Sequence, residues 1–300
     1  MLARLLAQAI RIHQWPKNLL VFLPALASQK FGEVSLFGAS LVAFVAFCLT
    51  TSAVYLINDV VDLKTDRNHP AKRLRPFASG ALSTTWCYFL APTLLILAVY
   101  LIALRLGWSF LAVLGCYTLL ALAYSAGLKR ILVLDVVVIA LLFGLRVIAG
   151  YAATGLDYSV WLLSFTQFLF FSLALMKRDI ELATLRTDRA DGTGRGYLLR
   201  DRNVIGSAGV ASGLISILVF SLYVNSDVVR QLYRDPWILW LACPILAYGV
   251  GRIWILANRD IVDADPVMFV LRDPVSYVLG GCLALVALAA KFGLPITAPN

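Results

Sequence analysis

Long apolar runs, separated by short polar connections, recur along the whole chain. A helix needs about 20 apolar residues to cross the hydrocarbon core of a bilayer, and most of these runs reach or approach that length. The pattern therefore predicts nine spanning helices, of which the first is the weakest because Pro24 interrupts it. The predicted spans are residues 19–35, 37–57, 82–104, 108–126, 132–153, 159–176, 205–224, 236–256 and 275–292.

The composition supports this interpretation, because 61% of the residues are hydrophobic and only 14% are charged. Soluble globular domains are about 45–50% apolar and about 25% charged. We expect an all-α fold, a polytopic membrane bundle of about nine transmembrane helices that forms a single domain over residues 1–300. The five cysteines lie inside apolar runs without a CxxC pair, which predicts buried thiols and no structural zinc site.

The basic residues are distributed asymmetrically between the two sides of the predicted bundle. Of the 26 Lys and Arg residues, twenty fall on the side of the N-terminus and five on the opposite side, and Arg146 lies within a span. The positive-inside rule then places the N-terminus in the cytoplasm and the C-terminus outside, in the cytoplasmic membrane. Orientation accounts for most of the net charge of +9, so we expect membrane lipids and no nucleic acid as partners. The sequence leaves open whether the chain forms a homo-oligomer.

The longest predicted inner connections, 58–81 and 177–204, carry both signs of charge. Twelve of the 17 acidic residues lie on the inner side, and the positive-inside rule does not explain them. Long charged loops on one face of a scaffold commonly carry the functional residues. We therefore expect the functional surface on the cytoplasmic side.

The connection after the second span begins with Asn58 and contains three aspartates, Asp59, Asp62 and Asp66. If the helix continues, as the lack of Gly or Pro before Pro70 predicts, the aspartates stand at i, i+3 and i+7 on one face. Three carboxylates this close need a cation among them, and oxygen ligands favour Mg²⁺ over Zn²⁺. The alternative is a solvated acidic helix end.

Three basic residues, Lys72, Arg73 and Arg75, follow within ten residues of Asp66. Magnesium held by a few carboxylates usually completes its shell with water and substrate phosphates. The segment therefore predicts a metal-bound diphosphate flanked by cations.

The second long connection opens with Lys177, Arg178 and Glu181, which on a continuing helix lie at the membrane edge. They either face the mouth of the bundle or snorkel to the interface. Within the fifth predicted span, Asp135 and Arg146 mark an interior site by default. They are too far apart along a helix to pair directly, about 16 Å of rise, so each needs another partner or a water-filled cavity.

Taken together, these residues resemble the UbiA superfamily of membrane prenyltransferases across essentially the full chain. Asn58, Asp59, Asp62 and Asp66 match its Asn-Asp-x-x-Asp-x-x-x-Asp motif position for position. Within the superfamily the chain is most similar to the decaprenyl-phosphate phosphoribosyltransferases. The segments that carry this similarity are His13–Asn18, His69–Gly80, Tyr124–Lys129, Leu134–Val136, Leu145–Gly150 and Lys177–Leu182.

One departure separates the chain from the aromatic prenyltransferases, which carry a second Asp-x-x-x-Asp motif after the sixth helix. Here Asp179 has Ala183 four residues on, and Lys177 and Arg178 replace part of the second metal site. The resemblance thus implies Mg²⁺-dependent transfer of 5-phosphoribosyl from 5-phosphoribosyl diphosphate to a polyprenyl phosphate, for arabinan and cell-wall precursor synthesis.

The resemblance also implies roles for individual residues. Asp59, Asp62 and Asp66, helped by Asn58, would hold Mg²⁺ on the donor. Substrate binding would fall to Lys17, Asn58, Lys72, Arg73, Tyr124, Lys129, Arg146, Lys177, Arg178 and Glu181. Two alternatives stay open: an aromatic prenyltransferase that uses a prenyl diphosphate, and a transporter of phosphorylated solutes, which the lack of inverted repeats disfavours.

Overall fold

The computed structural model describes residues 2–30, 32–68, 72–184, 196–262 and 265–293. These residues are mostly helical and form no β-strand. The α-helices are α1 (Leu2–Ala9), α2 (Leu23–Ala27), α3 (Val34–Val61), α4 (Leu63–Arg67), α5 (Thr85–Arg105), α6 (Trp108–Ala126), α7 (Leu134–Thr154), α8 (Val160–Ala183), α9 (Arg202–Val224), α10 (Asp227–Leu232), α11 (Ala242–Asn258), α12 (Pro266–Val270) and α13 (Pro274–Phe292). Short 3₁₀ helices occupy Ile12–Phe22, Lys72–Leu74, Leu128–Arg130, Leu199–Asp201 and Pro236–Leu241.

In the described ranges, eight helical segments are long and apolar enough to cross a membrane, with mean hydropathies between 1.5 and 2.3. They are built on α3, α5, α6, α7, α8, α9, α11 and α13, and those of α9 and α11 include the 3₁₀ turn before each helix. The prediction of a polytopic all-α bundle is confirmed.

The first predicted span, 19–35, differs from its prediction. It is replaced by an earlier segment, a 3₁₀ helix over Ile12–Phe22 that leads directly into α2. Pro24 stands in the first turn of α2, where its missing N–H costs no helical hydrogen bond. At rises of about 2.0 and 1.5 Å per residue, the summed helical rise of the two segments is about 29 Å, close to the ~30 Å hydrocarbon core.

The contacts divide the chain into two compact units. The first comprises Met1–Leu128 with Leu145–Tyr158, and the second comprises Lys129–Gly144 with Ser159–Asn300. In the first unit, α3 packs along α5 and along the 3₁₀ helix, and Leu56, Phe77 and Leu82 are among the buried side chains. In the second unit, α8 and α9 pack along each other and against α11.

Glycine at position 209 allows the close packing of α8, α9 and α11. A Cβ atom there would lie 2.2 Å from a ring carbon of Trp254 and 3.2 Å from Cβ of Leu175. The Ser172 hydroxyl donates to the carbonyl of Gly209 at 2.6 Å and accepts from the indole N–H of Trp254 at 3.1 Å. Small residues and interhelical hydrogen bonds are the usual means by which helices associate in membranes.

Gly150 has the corresponding function in the first unit. A Cβ atom at this position would lie 2.2 Å from the carbonyl oxygen of Val21 and 3.0 Å from the Pro24 ring. The 3₁₀ helix and α2 therefore approach the backbone of α7 directly, which also places Asn18 near Arg146.

Candidate functional site

The acidic motif lies at the end of α3, and the predicted continuous helix is interrupted there. Helix α3 ends at Val61, Asp62 takes φ −85° and ψ 7°, and α4 begins at Leu63. The amide of Asp66 still donates to the carbonyl of Asp62 at 2.8 Å. Aspartate is a poor residue for a helix interior because its side chain competes for backbone hydrogen bonds, and the break falls at the middle aspartate.

Two of the three aspartates meet on a common arginine despite this break. Nη1 of Arg75 lies 3.1 Å from Oδ1 of Asp59 and 2.6 Å from Oδ2 of Asp66. Nη2 of Arg11 donates to the same Asp59 oxygen at 2.5 Å, and its guanidinium lies 4.6 Å from the ring centre of Tyr55. The two aspartates are only 3% and 1% exposed, so these charge-assisted contacts compensate for their burial.

The chemistry of this acidic cluster, which we define as Asp59 and Asp66 with Arg11 and Arg75, fits Mg²⁺. Two carboxylate oxygens converge on one cationic nitrogen, and Mg²⁺ in phosphate-transferring sites is usually held by one or two carboxylates together with substrate phosphates. Asn58 and Asp62 are half-buried beside them in the chain. Among the described residues, no group of three or more Asp, Glu, His and Cys side chains is placed for a metal ion.

Of the two arginines in the acidic cluster, sequence reasoning named Arg75 as one of three cations after Asp66 and missed Arg11. Arg75 stands nine residues after Asp66, within a run of basic residues, and nothing in the sequence identifies it as the one that binds both aspartates. Arg11 lies 48 residues before Asp59, and its backbone has a left-handed φ of 54°. The one available signal was physical: buried carboxylates need cationic partners.

Arg146 forms a second polar network in the first unit. Its Nε donates to Oδ1 of Asn18 at 2.9 Å, and Nη2 donates to the hydroxyl of Tyr117 at 2.9 Å. The amide of Asn18 in turn donates to Oγ1 of Thr51 at 3.3 Å. Arg146 is 5% exposed and Asn18 is 1% exposed. The guanidinium of Arg146, predicted to need a partner inside its span, is therefore hydrogen-bonded to Asn18 and Tyr117.

The second unit contains a buried charge network around Arg178. Its Nε lies 2.7 Å from Oδ2 of Asp135, and its Nη1 donates to Oε2 of Glu181. Tyr197 donates its hydroxyl to Oδ1 of Asp135 at 2.5 Å and accepts from the amide of Val133 at 3.1 Å. Arg178 is 1% exposed and Asp135 is fully buried, so the predicted intramembrane aspartate is part of a closed polar network.

Tyr197 was not predicted from the sequence, because it follows a polar segment with no periodic pattern. Burial raises the pKa of its phenol above the ordinary value, and the hydrogen bond to Asp135 raises it further. The hydroxyl is therefore protonated at neutral pH and acts as the donor. Val133, which it also contacts, has a left-handed φ of 65°, uncommon for a β-branched residue.

The remaining predicted site residues divide between the two units. Arg73 is exposed, and Lys17, Lys72 and Tyr124 are half-buried, all in the first unit. Lys129 and Lys177 are half-buried in the second unit, which also holds Arg178 and Glu181. His69 and the interior of the second long connection, residues 185–195, lie outside the described residues.

A model of the UbiA prenyltransferase family matches residues 18–271. Uncharacterized protein y4nM of Sinorhizobium fredii is 38% identical over 92% of this chain, and the chain spans 54% of that protein's length. Nodulation protein NoeC of Azorhizobium caulinodans is 33% identical over 94% of this chain and 92% of its own length. A decaprenyl-phosphate phosphoribosyltransferase of Corynebacterium glutamicum is 38% identical over 58% of this chain and 54% of its own.

Two solved structures share the fold. A UbiA homologue from Archaeoglobus fulgidus, bound to GPP and Mg²⁺, superposes with a TM-score of 0.68 at 14% identity, covering 95% of this chain and 99% of its own. A structure described for digeranylgeranylglyceryl phosphate synthase gives a TM-score of 0.64 at 16% identity, over 97% and 99% of the two chains. At these identities the likeness concerns the fold.

Proposed function

Because this multi-pass membrane protein belongs to the UbiA prenyltransferase family, we propose that it transfers 5-phosphoribosyl from 5-phosphoribosyl diphosphate to a polyprenyl phosphate. The observation that carries a diphosphate donor is the convergence of Asp59 and Asp66 on one cationic nitrogen at the end of a membrane span. The choice of 5-phosphoribosyl diphosphate is supported by Lys177 and Arg178, which stand in place of a second aspartate motif. The phosphoribosyltransferase named above supports the donor and acceptor, although the similarity covers 58% of this chain. The reaction would occur at the cytoplasmic face and supply an arabinan precursor.

In this proposal the acidic cluster binds the diphosphate end of the donor. Asp59 and Asp66, with Asn58 and Asp62 beside them, would hold Mg²⁺, which when bound neutralises charge on the departing diphosphate. Arg75 pairs with both aspartates and Arg11 pairs with Asp59, so the arginines orient the carboxylates. The acceptor phosphate is already anionic at neutral pH, so the chain needs to position it and does not need to deprotonate it.

The network around Arg178 limits how that residue could bind a phosphate. Asp135 is fully buried, whereas the side chain of Glu181 is 26% exposed. Glu181 is therefore the partner that an incoming phosphate could replace, while Asp135 would keep the guanidinium in place. A planar guanidinium that retains one carboxylate still has donors for a second oxyanion.

A second candidate is an aromatic prenyltransferase that uses a prenyl diphosphate. The family description and the fold neighbour bound to GPP and Mg²⁺ favour it. The acidic cluster would hold the diphosphate of either donor, so this cluster does not discriminate between the two functions. Lys177 and Arg178 stand in place of a second aspartate motif. These two cations favour 5-phosphoribosyl diphosphate and polyprenyl phosphate, which together carry more phosphate groups than a prenyl diphosphate and an aromatic acceptor.

The test offers the purified protein one labelled donor at a time, either 5-phosphoribosyl diphosphate or geranyl diphosphate. Polyprenyl phosphates of several chain lengths and an aromatic acceptor are supplied in parallel, with and without Mg²⁺. We expect a labelled lipid only from phosphoribosyl diphosphate, polyprenyl phosphate and Mg²⁺ together. Transfer of label from geranyl diphosphate to the aromatic acceptor would contradict this proposal and support the second candidate.

A further inference from the structure

A groove of about 940 Å³ lies within the second unit, between α9 and α11 and beside the end of α8. This volume is in the range of sites that bind small molecules. None of the residues that line the groove is among those predicted to bind substrate or metal. The groove therefore lies outside the set of residues assigned to the proposed transfer reaction.

Most of the groove wall is apolar and belongs to membrane spans. Val210 and Leu214 on α9 and Ile255 on α11 line it, and they are 36%, 51% and 55% exposed. Because α9 and α11 are long and apolar enough to cross a bilayer, the environment of these side chains is lipid. An apolar groove within a bilayer accommodates a hydrocarbon chain.

Two glycines keep the groove open. A Cβ atom built on Gly251 would meet no atom within 4 Å, and one on Gly206 would first meet a carboxylate oxygen of Asp179 at 3.7 Å. Neither glycine has a left-handed φ, so the backbone does not require glycine at either position. Their effect is to leave space that a larger side chain would fill.

One end of the groove is polar and carries a net positive charge. Asp179 lines it, but Nε and Nη2 of Arg202 hold the two oxygens of Asp179 at 3.1 and 3.4 Å. Arg259 also lines this end and is exposed. Within the described ranges Arg259 forms no ion pair, so its charge is available to a ligand. Basic pockets between transmembrane helices bind the headgroups of anionic lipids.

We propose that this groove binds an anionic membrane phospholipid. Its phosphate would lie at Arg259, and an acyl chain would lie along Val210, Leu214 and Ile255. The neutralised Asp179 and Arg202 pair would border the headgroup without repelling it. The chemistry that selects this occupant is the positive charge of Arg259 at the end of an apolar channel in the membrane.

The test measures lipid binding and needs no enzymatic turnover. Delipidated protein in detergent is incubated with phosphatidylglycerol or phosphatidylcholine of identical acyl chains, and bound lipid is counted by native mass spectrometry. Gly251→Leu, which fills the groove, is compared with Gly280→Leu on α13, where a Cβ atom also meets nothing within 4 Å. Arg259→Gln is compared with Arg272→Gln, another exposed arginine of the same unit.

We expect the unaltered protein and both controls to retain phosphatidylglycerol in preference to phosphatidylcholine. Gly251→Leu should lose the bound lipid, and Arg259→Gln should bind it about fivefold more weakly, the usual contribution of one basic residue at a membrane surface. If Gly251→Leu does not fold, Gly206→Val narrows the same groove. Equal binding of the two lipids, unchanged binding by the narrowed variants, or displacement by polyprenyl phosphate would each overturn the proposal. The amount of bound lipid is measured without enzymatic turnover, so a failure of the proposed transferase function would not change this result.

Discussion

Arg75 connects two aspartates that are almost completely buried at the end of α3. The sequence indicated that three nearby carboxylates need a cation and assigned that role to a metal ion. In the structure, arginines are the cations beside two of the three aspartates. Arginine pairing and metal binding are compatible, because Mg²⁺ needs only one or two protein carboxylates when phosphates complete its shell.

The first prediction concerns these aspartates. Asp59→Asn and Asp66→Asn should each lower Mg²⁺-dependent transfer by about 100-fold or more, since each removes a charged contact to the metal and donor. Activity is measured with labelled donor over a Mg²⁺ titration. Asp157→Asn, an exposed aspartate of the same unit, is the control. If Asp62→Asn abolishes activity while Asp59→Asn and Asp66→Asn remain active, the metal does not bind to the pair Asp59 and Asp66.

The second prediction concerns the buried ion pair of the second unit. Arg178→Gln leaves Asp135 fully buried without its cation, which should destabilise the protein by about 3–5 kcal/mol. Arg178→Gln combined with Asp135→Asn should recover most of that loss, because it removes the uncompensated charge. Thermal unfolding in detergent measures both, with the exposed Arg200→Gln as control. Strictly additive effects of the two substitutions would show that the side chains do not interact.

At the residue scale, the sequence could indicate which charges need partners but could not identify the partners. Asp135 and Arg146 stand out because charge inside an apolar span is costly. Two of their partners, Tyr197 and Asn18, are uncharged residues at distant positions, 62 and 128 residues away. Only the packed helices bring such residues together.

At the scale of elements, apolar periodicity located the long helices well, because length and hydropathy alone define a membrane span. It failed where backbone geometry is decided by single residues. The first segment became a 3₁₀ helix followed by α2, and the helix of the acidic motif broke at Asp62. Neither feature changes the hydrophobic pattern, so neither could be predicted from it.

The third prediction tests the contact between α7 and the 3₁₀ helix. Gly150→Ala places a methyl group 2.2 Å from the Val21 carbonyl oxygen, so the helices must separate. Overpacking of this kind costs about 1–3 kcal/mol and should lower the melting temperature by roughly 5 °C. Gly115→Ala on α6, where a Cβ atom meets nothing within 4 Å, is the matched control. Equal melting temperatures for the two variants would contradict the close approach.

The fourth prediction is a pH dependence at the start of α13. Asp273 caps this helix through the amide of Ser276 at 2.9 Å and binds Arg252 at 2.7 and 3.0 Å. The hydrogen bonds from Arg252, more than any other contact, lower the pKa of Asp273 to about 2. The stabilisation is therefore complete above the ordinary carboxyl pKa near 4 and disappears as the pH falls through about 2.

Asp273→Asn keeps a capping side chain but cannot ionise. We expect it to be less stable than the unaltered protein at neutral pH, with the difference in unfolding free energy vanishing between about pH 4 and pH 2. Asp273→Ala should cost about 1 kcal/mol more, because it also loses the cap. A constant difference between the unaltered protein and Asp273→Asn at all pH values would refute the assignment.

At the scale of the whole molecule, the number of crossings decides on which side the C-terminus lies. The described residues contain eight spans by length and hydropathy, and the Ile12–Ala27 segment is long enough in rise to be a ninth. The charge asymmetry of the sequence favours nine, because a different count would mix the basic residues of the two sides.

The fifth prediction follows from this count. A protease-cleavable tag at the C-terminus should be cut from outside intact cells, whereas the same tag at the N-terminus should be protected until the membrane is opened. A third tag in the short 105–108 connection between α5 and α6 should also be cut from outside. This tag reports the orientation at an internal position of the chain, independently of the two termini. Protection of both termini would show that Ile12–Ala27 does not cross.

The position of Arg146 near the middle of α7 has a consequence for biosynthesis. An isolated arginine there costs about 2.5–3.5 kcal/mol on insertion through the translocon. Asn18 and Tyr117, which accept hydrogen bonds from the guanidinium of Arg146, both precede Arg146 in the chain. When α7 leaves the ribosome, its acceptors have already been made, whereas Asp135 in the first turn of the same helix must wait for Arg178. The order of synthesis therefore favours early burial of the charge at the centre of the helix and late burial of the charge at its edge.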